Sequence, residues 1–398
     1  MLKQVVILVG GRGTRLGDLT KATPKPMLSL GDRPFLDFLI SNFARFGVSE
    51  ILLLAGYCGE KIEEHYRENP IDGVNIKVLI EPEPLDTAGC LKFAENHLHD
   101  VFMVSNGDSF FDFNLLSLLE FSESDNWLGR LALRKVNEPG RFGRVELDKH
   151  GFVKVFAEKI SKSSDTTLIN GGIYLFRKEI LNHIGDGSVS MEKEIFPKLV
   201  ESGLLQGKEA PGYFIDIGIP ESLERAGREL AGVQTRPAVF FDRDGTLNFD
   251  EGYTHKLEDL TWINGAIDTI RLCNDRGYYV FVVSNQAGVA RGYYGEAEVI
   301  RFHDYMQKCL QKFGAHIDDF TFCPHHVEGV VSPYDVDCTC RKPKTGLLDD
   351  LKLKWPIDLD HSIFIGDSES DMQAARNFGI RGIKFMGGNL FHLLEKEL

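Results

Sequence analysis

The feature that most constrains the fold is an alternation of short apolar runs with amphipathic stretches. In the first half of the chain, the apolar runs that predict strands lie at Gln4–Val9, Glu50–Ala55, Asn75–Ile80 and Val101–Ser105. The amphipathic stretches that predict helices lie at Phe35–Phe46, Glu60–Arg67 and Leu115–Phe121. Strands that alternate with helices in this way form parallel sheets covered by helices on both faces. The sequence therefore predicts an α/β fold.

The same alternation starts again after a short polar segment. Glu221–Leu230 has the pattern of a closing helix, and Gly232–Pro237 follows it. The strand-like runs of the second series lie at Ala238–Phe241, Tyr279–Val283 and Ser362–Ile365. A chain of 398 residues is long enough for two such domains. We predict a domain over residues 1–230, a linker over 231–236 and a domain over 237–398, each a mostly parallel sheet flanked by helices.

Charge and hydropathy restrict the partners of the chain. The net charge is −14 and no basic stripe is present, which argues against nucleic acid and anionic membranes as partners. No apolar run approaches the roughly 18 residues that a membrane span needs. The amino terminus lacks the pattern of a signal peptide. We expect a cytoplasmic protein whose partners are small molecules, and a homo-oligomer is left open.

A glycine-rich loop, GGRGTRL at Gly10–Leu16, directly follows the first predicted strand. Glycines let backbone N–H groups approach phosphate oxygens, and a strand-to-helix position aims those groups at an anion. The run lacks the Gly-Lys-Ser/Thr of a Walker loop and the third glycine of a dinucleotide fingerprint. Taken alone, the loop fits a phosphate site or a tight turn.

Charged residues farther along the chain favour the phosphate site. Lys25 lies between two prolines, Asp108 follows a predicted strand, and Asp216 follows another short apolar run. Carboxylates at the C-terminal ends of parallel strands lie where such sheets bind ligands. Two carboxylates with a few cations suit a magnesium-bound triphosphate. Taken singly, each aspartate is better explained as a cap or turn residue.

Residues 1–230 resemble the sugar-phosphate nucleotidyltransferases. Six motifs occur in the order of that family: GGRGTRL, PKPM, NGD (Asn106–Asp108), FAEK (Phe156–Lys159), NGGIY (Asn170–Tyr174) and DIGIP (Asp216–Pro220). The resemblance implies that a sugar 1-phosphate oxygen attacks the α-phosphorus of a nucleoside triphosphate in line and expels pyrophosphate. Positioning and charge stabilisation would do most of this catalysis.

The resemblance also assigns residues to this reaction. It implies that Asp108 and Asp216 hold Mg²⁺ and that Lys25 neutralises developing charge. The triphosphate would lie on Gly10, Gly11, Gly13, Thr14 and Arg15. Other substrate contacts would come from Thr87, Gly89, Asn106, Glu158, Lys159, Asn170 and Gly172. Asp86 stands where relatives often have glycine in the base-binding segment, so this segment leaves the identity of the base open.

Two carboxylates follow the first strand of the second series. Asp242 and Asp244 lie two residues apart in the run DRDGTL, directly after Ala238–Phe241. One carboxylate of such a pair can attack phosphorus while the other handles the proton of the leaving group. An aspartate-rich turn is the alternative interpretation.

Polar and charged residues follow the other strands of this series, and with them the second half matches the haloacid-dehalogenase-type phosphatases. These residues are Ser284, Asn285, Arg341, Lys342, Asp367 and Asp371. By resemblance, Asp242 is the nucleophile and Asp244 the general acid/base. The phosphoryl group would be held by Ser284 and Lys342. The ligands of Mg²⁺ would be Asp242, the carbonyl of Asp244 and Asp367.

A cluster of cysteine and histidine predicts a second metal. Its members are Cys323, His325, Cys338 and Cys340, while His326 is a spare candidate. Three thiolates and one imidazole form a closed tetrahedral set that suits structural Zn²⁺. The cluster runs directly into Arg341 and Lys342, so we expect it to hold these cations in place. A loop of free thiols is the alternative.

One branch of the superfamily resembles the second half most specifically, the heptose 1,7-bisphosphate 7-phosphatases with the histidinol-phosphate phosphatases. The shared motifs are DRDGTLN, GYTH, SNQAGVARG, CPHH, CTCRKP and GDSESD. By resemblance, the segment Glu251–Lys256 and Arg291 border the pocket, and Arg291 could hold a distal phosphate. Ala287 and Ser368 depart from residues common in relatives.

The fusion narrows the substrate that neither half defines alone. A heptose 1,7-bisphosphate phosphatase releases heptose 1-phosphate, which a sugar-1-phosphate nucleotidyltransferase consumes. The expected product is a nucleotide-activated heptose, with GTP as the preferred donor by analogy. One alternative is a hexose-1-phosphate thymidylyl- or uridylyltransferase fused to a histidinol-phosphate-type phosphatase. Another is a regulatory, non-catalytic first half fused to an active phosphatase.

Overall fold

The computed structural model describes residues 2–120, 126–137, 144–157 and 166–398. The chain divides into two compact units, Leu2–Ala231 and Gly232–Leu398. Each unit is built on a sheet flanked by helices, which confirms the predicted fold class. Within the described residues, no helix is both long enough and apolar enough to cross a membrane.

The first unit contains strands β1 to β13 and helices α1 to α5. The strands are β1 (Gln4–Leu8), β2 (Ser29–Leu30), β3 (Arg33–Pro34), β4 (Glu50–Ala55), β5 (Asn75–Ile80), β6 (Val101–Asn106), β7 (Ser109–Phe111), β8 (Gly129–Val136), β9 (Arg144–Leu147), β10 (Val153–Ala157), β11 (Thr167–Arg177), β12 (Leu205–Glu209) and β13 (Phe214–Asp216). The helices are α1 (Phe35–Arg45), α2 (Gly59–Glu68), α3 (Asp86–Phe93), α4 (Phe196–Glu201) and α5 (Pro220–Gln234).

The parallel part of the main sheet has the strand order β6-β1-β4-β5. These strands are nearly continuous apolar runs, as expected for strands that are covered on both faces. Val6 of β1, Leu54 of β4 and Phe102 of β6 lie in the hydrophobic core of this unit. Since the strands run in the same direction, the residues that follow each strand meet at one edge of the sheet, where such sheets bind ligands.

The remaining part of this sheet differs from the sequence prediction. Strand β11 pairs antiparallel with β6, and β8 and β9 pair antiparallel with β11. These strands were not predicted from the sequence, because arginine and lysine interrupt the apolar pattern of β8. The predicted helix Leu115–Phe121 is a short 3-10 helix over Leu115–Leu119, and the Asn114 side chain accepts a hydrogen bond from its first turn.

The second unit contains one parallel sheet of strand order β16-β15-β14-β17-β18 among its described residues. The strands are β14 (Arg236–Phe241), β15 (Tyr279–Asn285), β16 (Asp319–Cys323), β17 (Ile357–Gly366) and β18 (Arg381–Lys384). The helices are α6 (Ala266–Asp275), α7 (Glu296–Gln311), α8 (Gly346–Lys354), α9 (Glu369–Phe378) and α10 (Leu390–Leu394). Alternate residues of β14 enter separate cores on the two faces, so this central strand is fully buried.

The connection between the two series is shorter than the predicted linker. Helix α5 continues to Gln234 and therefore includes most of the segment that was expected to be irregular. Strand β14 begins two residues later, at Arg236.

Candidate active sites

A cavity of about 670 Å³ lies at the carboxyl ends of β1, β4, β5 and β6 in the first unit. The predicted site residues that line it are Gly10, Gly11, Gly13, Thr14, Arg15, Lys25, Thr87, Asn106 and Asp108. The loop after β1 forms one wall, and the segment after β5 forms another. The cavity is large enough for a nucleotide-sized ligand.

The glycine loop has the backbone geometry that its composition suggested. Gly13 has a φ of 60°, a backbone conformation that is strained for residues that carry a side chain. A Cβ at Gly10 would lie 2.9 Å from a carboxylate oxygen of Glu81, so glycine allows these two walls to approach. Arg12 and Arg15 are exposed at the loop, and the Arg12 guanidinium lies 5.9 Å from the centre of the Tyr57 ring. The loop therefore presents cations to the cavity from a close-packed backbone.

Lys25 and Asp108 line this cavity, and Asp216, the other predicted magnesium ligand, lies beside them without being one of its lining residues. The Lys25 ammonium contacts the Asp108 carboxylate at 2.6 Å, and the Lys25 side chain is only 8% exposed. Strand β13 pairs with β7 so that Asp216 lies opposite Ser109, and the N–H of Ile217 donates to the Asp108 carbonyl. This pairing brings two carboxylates from distant parts of the sequence to one place.

The residues predicted to contact the sugar phosphate lie only partly in the described chain. The Asn170 side chain accepts from the N–H of Gly172 at 3.0 Å and donates to the Tyr174 hydroxyl at 2.9 Å. A Cβ on Gly172 would approach the Asn106 amide to 3.0 Å, so Gly172 packs beside the cavity wall. Glu158 and Lys159 lie outside the described residues.

The base-binding segment is placed differently from its prediction. The Thr87 hydroxyl donates to Glu192 and accepts from the N–H of Met191, each at 2.8 Å, so it forms its hydrogen bonds within the protein. Gly89 is not among the cavity-lining residues, and a Cβ there would lie 2.2 Å from the Gly187 carbonyl oxygen. Thr87 therefore lines the cavity with its hydroxyl hydrogen-bonded to other residues, while Gly89 packs against Gly187 outside the cavity lining.

Glu81, which the sequence analysis missed, lines this cavity directly after β5. Its carboxylate accepts from the N–H of Leu85 at 3.0 Å. Burial raises the pKa of this carboxyl above its usual value, the Leu85 hydrogen bond opposes the shift, and Asp86 adds to it. Its position directly after an apolar strand is the same signal that identified Asp108.

In the second unit, residues that follow three adjacent strands converge. Asp242 follows β14, Ser284 and Asn285 end β15, and Asp367 follows β17. Because β14 lies between β15 and β17, its carboxyl end is the centre of the group. A Cβ on Gly245 would lie 2.2 Å from a carboxylate oxygen of Asp367, so only glycine fits between the loop and this aspartate.

Lys342 is the cation at the centre of this site. Its ammonium contacts Asp242 at 2.8 Å and Asp371 at 2.6 Å, and its side chain is 2% exposed. Burial raises the pKa of Asp242 to about 7, Lys342 opposes this shift and Asp371 adds to it. The two carboxylates raise the pKa of Lys342, against the effect of its burial. A buried cation held by two carboxylates is expected, since an unpaired one would be costly.

Three carboxylates of this site could hold a metal, the predicted ligands Asp242 and Asp367 together with Asp371. Ligand atoms of Asp242, Asp367 and Asp371 all lie within 4.8 Å of one another. Oxygen-only ligands of this kind suit Mg²⁺. The side chain of Asp244 is instead hydrogen-bonded to Arg243, Asn248 and Gln286. Asp371 was noted in the sequence but not counted as a ligand, because its approach depends on where α9 begins.

The other predicted phosphate-binding residues surround this centre. The Ser284 hydroxyl accepts from the Gln286 amide at 2.6 Å and is buried. The Asn285 side chain accepts from the N–H of Lys342 at 3.0 Å and donates to its carbonyl at 3.2 Å, which fixes the lysine backbone. Arg341 donates to the carbonyl of His325 at 3.2 Å. Lys342 is therefore hydrogen-bonded to the end of β15, and Arg341 is hydrogen-bonded to the cysteine loop, residues 323–340, which contains the three cysteines and His325.

The cysteine loop brings its predicted ligands together. The sulfur atoms of Cys323, Cys338 and Cys340 lie 3.2–3.5 Å apart, and Nδ1 of His325 lies 3.4 Å from the Cys340 sulfur. Four atoms at such distances fit a single tetrahedral ion. His326 is not in the group, since its Nδ1 accepts from the N–H of Glu328. The structure therefore groups His325, and not His326, with the three cysteines.

Arg291 lies on the turn after β15, next to the cysteine loop. Its guanidinium contacts the Glu328 carboxylate at 3.4 Å, and its side chain is 31% exposed. The N–H groups of Val330 and Val331 both donate to the carbonyl of Ala290, at 2.7 and 3.0 Å. The loop therefore supports the backbone next to Arg291 as well as Lys342.

Comparison with known proteins gives a separate match for each unit. Residues 4–232 match the family model described as nucleotidyl transferase, and residues 237–385 match the one described as polynucleotide kinase 3 phosphatase. The D-glycero-beta-D-manno-heptose-1,7-bisphosphate 7-phosphatase of Rhodopseudomonas palustris is 46% identical over 168 residues, which is 42% of this chain and 93% of that protein. The D-glycero-alpha-D-manno-heptose 1-phosphate guanylyltransferase of Campylobacter jejuni is 38% identical over 222 residues, 55% of this chain and 96% of that protein.

A solved structure agrees with the comparison of the first unit. The crystal structure of HddC from Yersinia pseudotuberculosis is 31% identical and has a TM-score of 0.51. The match covers 57% of this chain and 99% of that one. A second crystal structure of HddC, with the same TM-score of 0.51, is a complex with GMP-PN.

Proposed function

The chain belongs to the nucleotidyl transferase family through its first unit and to the family of the heptose-bisphosphate phosphatases through its second, and we propose that it is a bifunctional enzyme that makes a nucleotide-activated heptose. The phosphatase unit removes the 7-phosphate from heptose 1,7-bisphosphate. The transferase unit joins the resulting heptose 1-phosphate to a nucleotide, most suitably GMP from GTP. A reaction that uses a nucleoside triphosphate also favours a cytoplasmic location.

One observation carries this proposal, namely that relatives of the two units are named for consecutive reactions. A 7-phosphatase that acts on heptose 1,7-bisphosphate leaves heptose 1-phosphate, and the other relative is a heptose 1-phosphate guanylyltransferase. The residues of both reactions are present in one chain. Histidinol phosphate, the alternative phosphatase substrate, would give the transferase unit nothing to use.

The names of the two relatives differ in the anomer of the sugar. The phosphatase relative is named for the beta form and the guanylyltransferase relative for the alpha form. The phosphatase step leaves the bond at C1 untouched, so one chain can carry out both steps in sequence only on a single anomer. We propose the alpha form for both units, since the transferase relative, whose substrate provides the 1-phosphate as nucleophile, is named for the alpha form.

The phosphatase chemistry follows from the positions of Asp242 and Asp244. An oxygen of Asp242 attacks the 7-phosphorus, the bond between phosphorus and the C7 oxygen breaks, and Asp244 gives its proton to that oxygen. Water then attacks the phosphorus of the phosphorylated Asp242 and gives a proton to Asp244. Inorganic phosphate leaves, and the free carboxylate of Asp242 is restored.

The charges around Asp242 suit this reaction. Lys342 and the hydroxyl of Ser284 would neutralise and orient the phosphoryl oxygens, with Asn285 fixing the lysine backbone and Arg341 hydrogen-bonded to the carbonyl of His325. Asp242, Asp367 and Asp371 would hold Mg²⁺, which adds positive charge where the phosphoryl oxygens become more negative. The carbonyl of Asp244 remains a proposed further ligand.

The cysteine loop is proposed to hold structural Zn²⁺. Its three thiols and one imidazole match the closed donor set of structural zinc sites. A bound ion would fix the loop that leads into Arg341 and Lys342 and that hydrogen-bonds to the turn of Arg291. Arg291, with the segment Glu251–Lys256, is proposed to contact the 1-phosphate that the phosphatase must spare.

The transferase chemistry requires less from the protein, since the substrates supply the reacting groups. An oxygen of the sugar 1-phosphate attacks the α-phosphorus of the triphosphate, and pyrophosphate leaves. The N–H groups of the Gly10–Arg15 loop and the guanidinium of Arg15 would bind the triphosphate, with Lys25 stabilising the charge that develops. Asp108 and Asp216 would hold Mg²⁺, which would supply positive charge beside the triphosphate. Asn106, Asn170 and Gly172 are proposed for the sugar-phosphate side.

The carboxylate of Glu81 supports guanine as the base. Guanine presents N–H donors at N1 and N2, and an ionised carboxylate only accepts hydrogen bonds. Uracil and thymine present one N–H between two carbonyl oxygens, so they would bring acceptors towards Glu81. This assignment agrees with the solved HddC complex with GMP-PN.

A single assay tests the proposal. The protein would be incubated with each anomer of D-glycero-D-manno-heptose 1,7-bisphosphate, Mg²⁺ and one nucleoside triphosphate at a time. Inorganic phosphate and pyrophosphate would be measured separately, and the sugar nucleotide identified by mass spectrometry. We expect equal amounts of phosphate and pyrophosphate with the alpha anomer and GTP. Phosphate release without a sugar nucleotide from any triphosphate would overturn the coupled function.

A further inference from the structure

Arg243, the residue between the two catalytic aspartates, has no assigned role, and its side chain is fully buried at 0% exposure. Its guanidinium contacts both carboxylate oxygens of Asp244, at 2.9 Å from Nε and 2.8 Å from Nη2. Such a two-point contact fixes both the position and the orientation of a carboxylate. An arginine buried for charge balance alone would need only to be near its partner.

The same guanidinium connects Asp244 to three other parts of the unit. It donates to the carbonyl of Thr254 at 2.7 Å and to the Gln286 side chain at 3.2 Å, and it lies 3.4 Å from Nε2 of His303. Its carbon lies 4.7 Å from the centre of the Phe302 ring. Burial lowers the pKa of the His303 imidazole well below its usual value, and Arg243 lowers it further.

Gln286 also hydrogen-bonds to the Asp244 carboxylate. Its amide donates to Asp244 at 2.7 Å and to the Ser284 hydroxyl at 2.6 Å, while its oxygen accepts from the Tyr294 hydroxyl at 2.8 Å. Asp244 is thus held by Arg243, Gln286 and Asn248, and Arg243 is held in turn by His303 of α7 and by the carbonyl of Thr254. Thr254 lies within the segment proposed to border the substrate.

We propose that Arg243 is a positioning residue that aims the Asp244 carboxyl at the leaving oxygen and couples that aim to the Thr254 segment. The idea rests on the proposed phosphatase function of Asp242 and Asp244. General acid catalysis contributes about 10²–10⁴-fold, and a misplacement of about 1 Å can cost roughly 10²-fold. The contribution of a correctly placed acid depends on how much the leaving group needs a proton.

This dependence separates positioning from a merely structural role. An alkyl phosphate, such as the sugar phosphate, leaves as a strongly basic oxygen and needs the proton from Asp244. 4-Nitrophenyl phosphate leaves as a stable phenolate and needs it little. The quantity to compare is kcat/KM, since for a phosphorylated-enzyme mechanism it reports the step in which the leaving group departs. Hydrolysis of the phosphorylated aspartate is common to both substrates and does not enter.

The test uses Arg243→Lys, Gln286→Met and a matched control, Arg301→Lys, on the exposed face of α7. Lysine keeps the buried positive charge but cannot bridge two carboxylate oxygens. We expect Arg243→Lys to lower kcat/KM for the sugar bisphosphate by about tenfold to a hundredfold, and for 4-nitrophenyl phosphate by less than about threefold. Gln286→Met should show the same pattern more weakly, and Arg301→Lys should leave kcat/KM unchanged for both substrates.

The outcomes are distinguishable. Equal losses for both substrates in Arg243→Lys and Gln286→Met, with normal unfolding of the second unit, would overturn the positioning role. If Arg243→Lys fails to fold, Gln286→Met decides, since methionine has nearly the same size and removes only the amide contacts. A wild-type protein that hydrolyses neither substrate would overturn the phosphatase function itself.

Discussion

In the second unit, the ammonium of Lys342 contacts the carboxylates of Asp242 and Asp371, and its side chain is 2% exposed. In the first unit, Arg12 and Arg15 are exposed beside an open cavity of about 670 Å³. The proposed phosphatase nucleophile, Asp242, belongs to the protein, so its charge has to be compensated before substrate arrives. The transferase nucleophile arrives with the sugar phosphate, so the protein supplies mainly cations and a shaped space.

The comparison predicts that the two activities can be removed separately, and the largest effect is expected from Asp242→Asn. Asparagine keeps the size of the side chain but cannot attack phosphorus, so phosphate release should fall by a factor on the order of 10⁴ or more. Pyrophosphate release from heptose 1-phosphate and GTP should be unchanged in the same preparation. Loss of both activities would mean that the two sites do not work independently.

A second, smaller effect is expected from Asp108→Ala in the transferase cavity. The variant removes a proposed magnesium ligand and the partner of Lys25, so pyrophosphate release should fall roughly a hundredfold or more. Phosphatase activity should be unchanged. Asp100→Ala is the matched control, because this residue precedes the other end of β6. Near-normal transfer in Asp108→Ala would show that the metal is held by other residues.

The cysteine loop offers a third test, through metal rather than charge. Cys338→Ser should reduce the zinc content from about one ion per chain to well below one. Because the loop fixes Lys342 and the turn of Arg291, phosphatase activity should fall roughly tenfold, and the second unit should unfold at a lower temperature. Cys309→Ser, on α7 and outside the cluster, should keep both zinc and activity. Wild-type protein that contains no zinc when purified without chelator would contradict the prediction.

The convergence of the phosphatase residues could be predicted from sequence because each follows a buried parallel strand. Asp242, Ser284 and Asp367 stand directly at strand ends, and neighbouring parallel strands bring such residues together. The placement of Asp371 against Lys342 could not be predicted in this way. It depends on the first turn of α9, where the N–H of Ser368 donates to the Asp371 side chain at 3.0 Å.

The antiparallel part of the first unit was less accessible to prediction. Most strand pairs among β8 to β12 join distant parts of the sequence, and the arginine and lysine residues of β8 interrupt the apolar pattern that identified the parallel strands. Thr87 was assigned to the substrate on resemblance, yet its hydroxyl contacts Met191 and Glu192, about a hundred residues away. Only tertiary packing determines such contacts, so a local motif cannot predict them.

The smallest effect, and the sharpest test of the comparison, is expected from Glu81→Gln. In the part of the chain that the structure describes, Glu81 forms no ion pair, in contrast to Asp242. Burial raises the pKa of Glu81 above its usual value of 4.5. The folded state therefore binds more protons than the unfolded state between these two values, and the contribution of Glu81 to stability falls as pH rises through this window. Above the window the cost of burying the charge remains in full.

Glutamine does not titrate and can still accept the hydrogen bond from Leu85, so Glu81→Gln should raise the unfolding temperature of the first unit at neutral pH. The gain should disappear at about pH 4, where Glu81 is protonated in both states. Calorimetric unfolding of wild type and variant at the two pH values measures this difference. An equal gain at both would show that packing, not charge, is responsible. The same substitution should also lower kcat/KM for GTP. The buried carboxylate of Glu81 costs stability, and such a cost is expected where the N–H groups of a bound ligand compensate the charge.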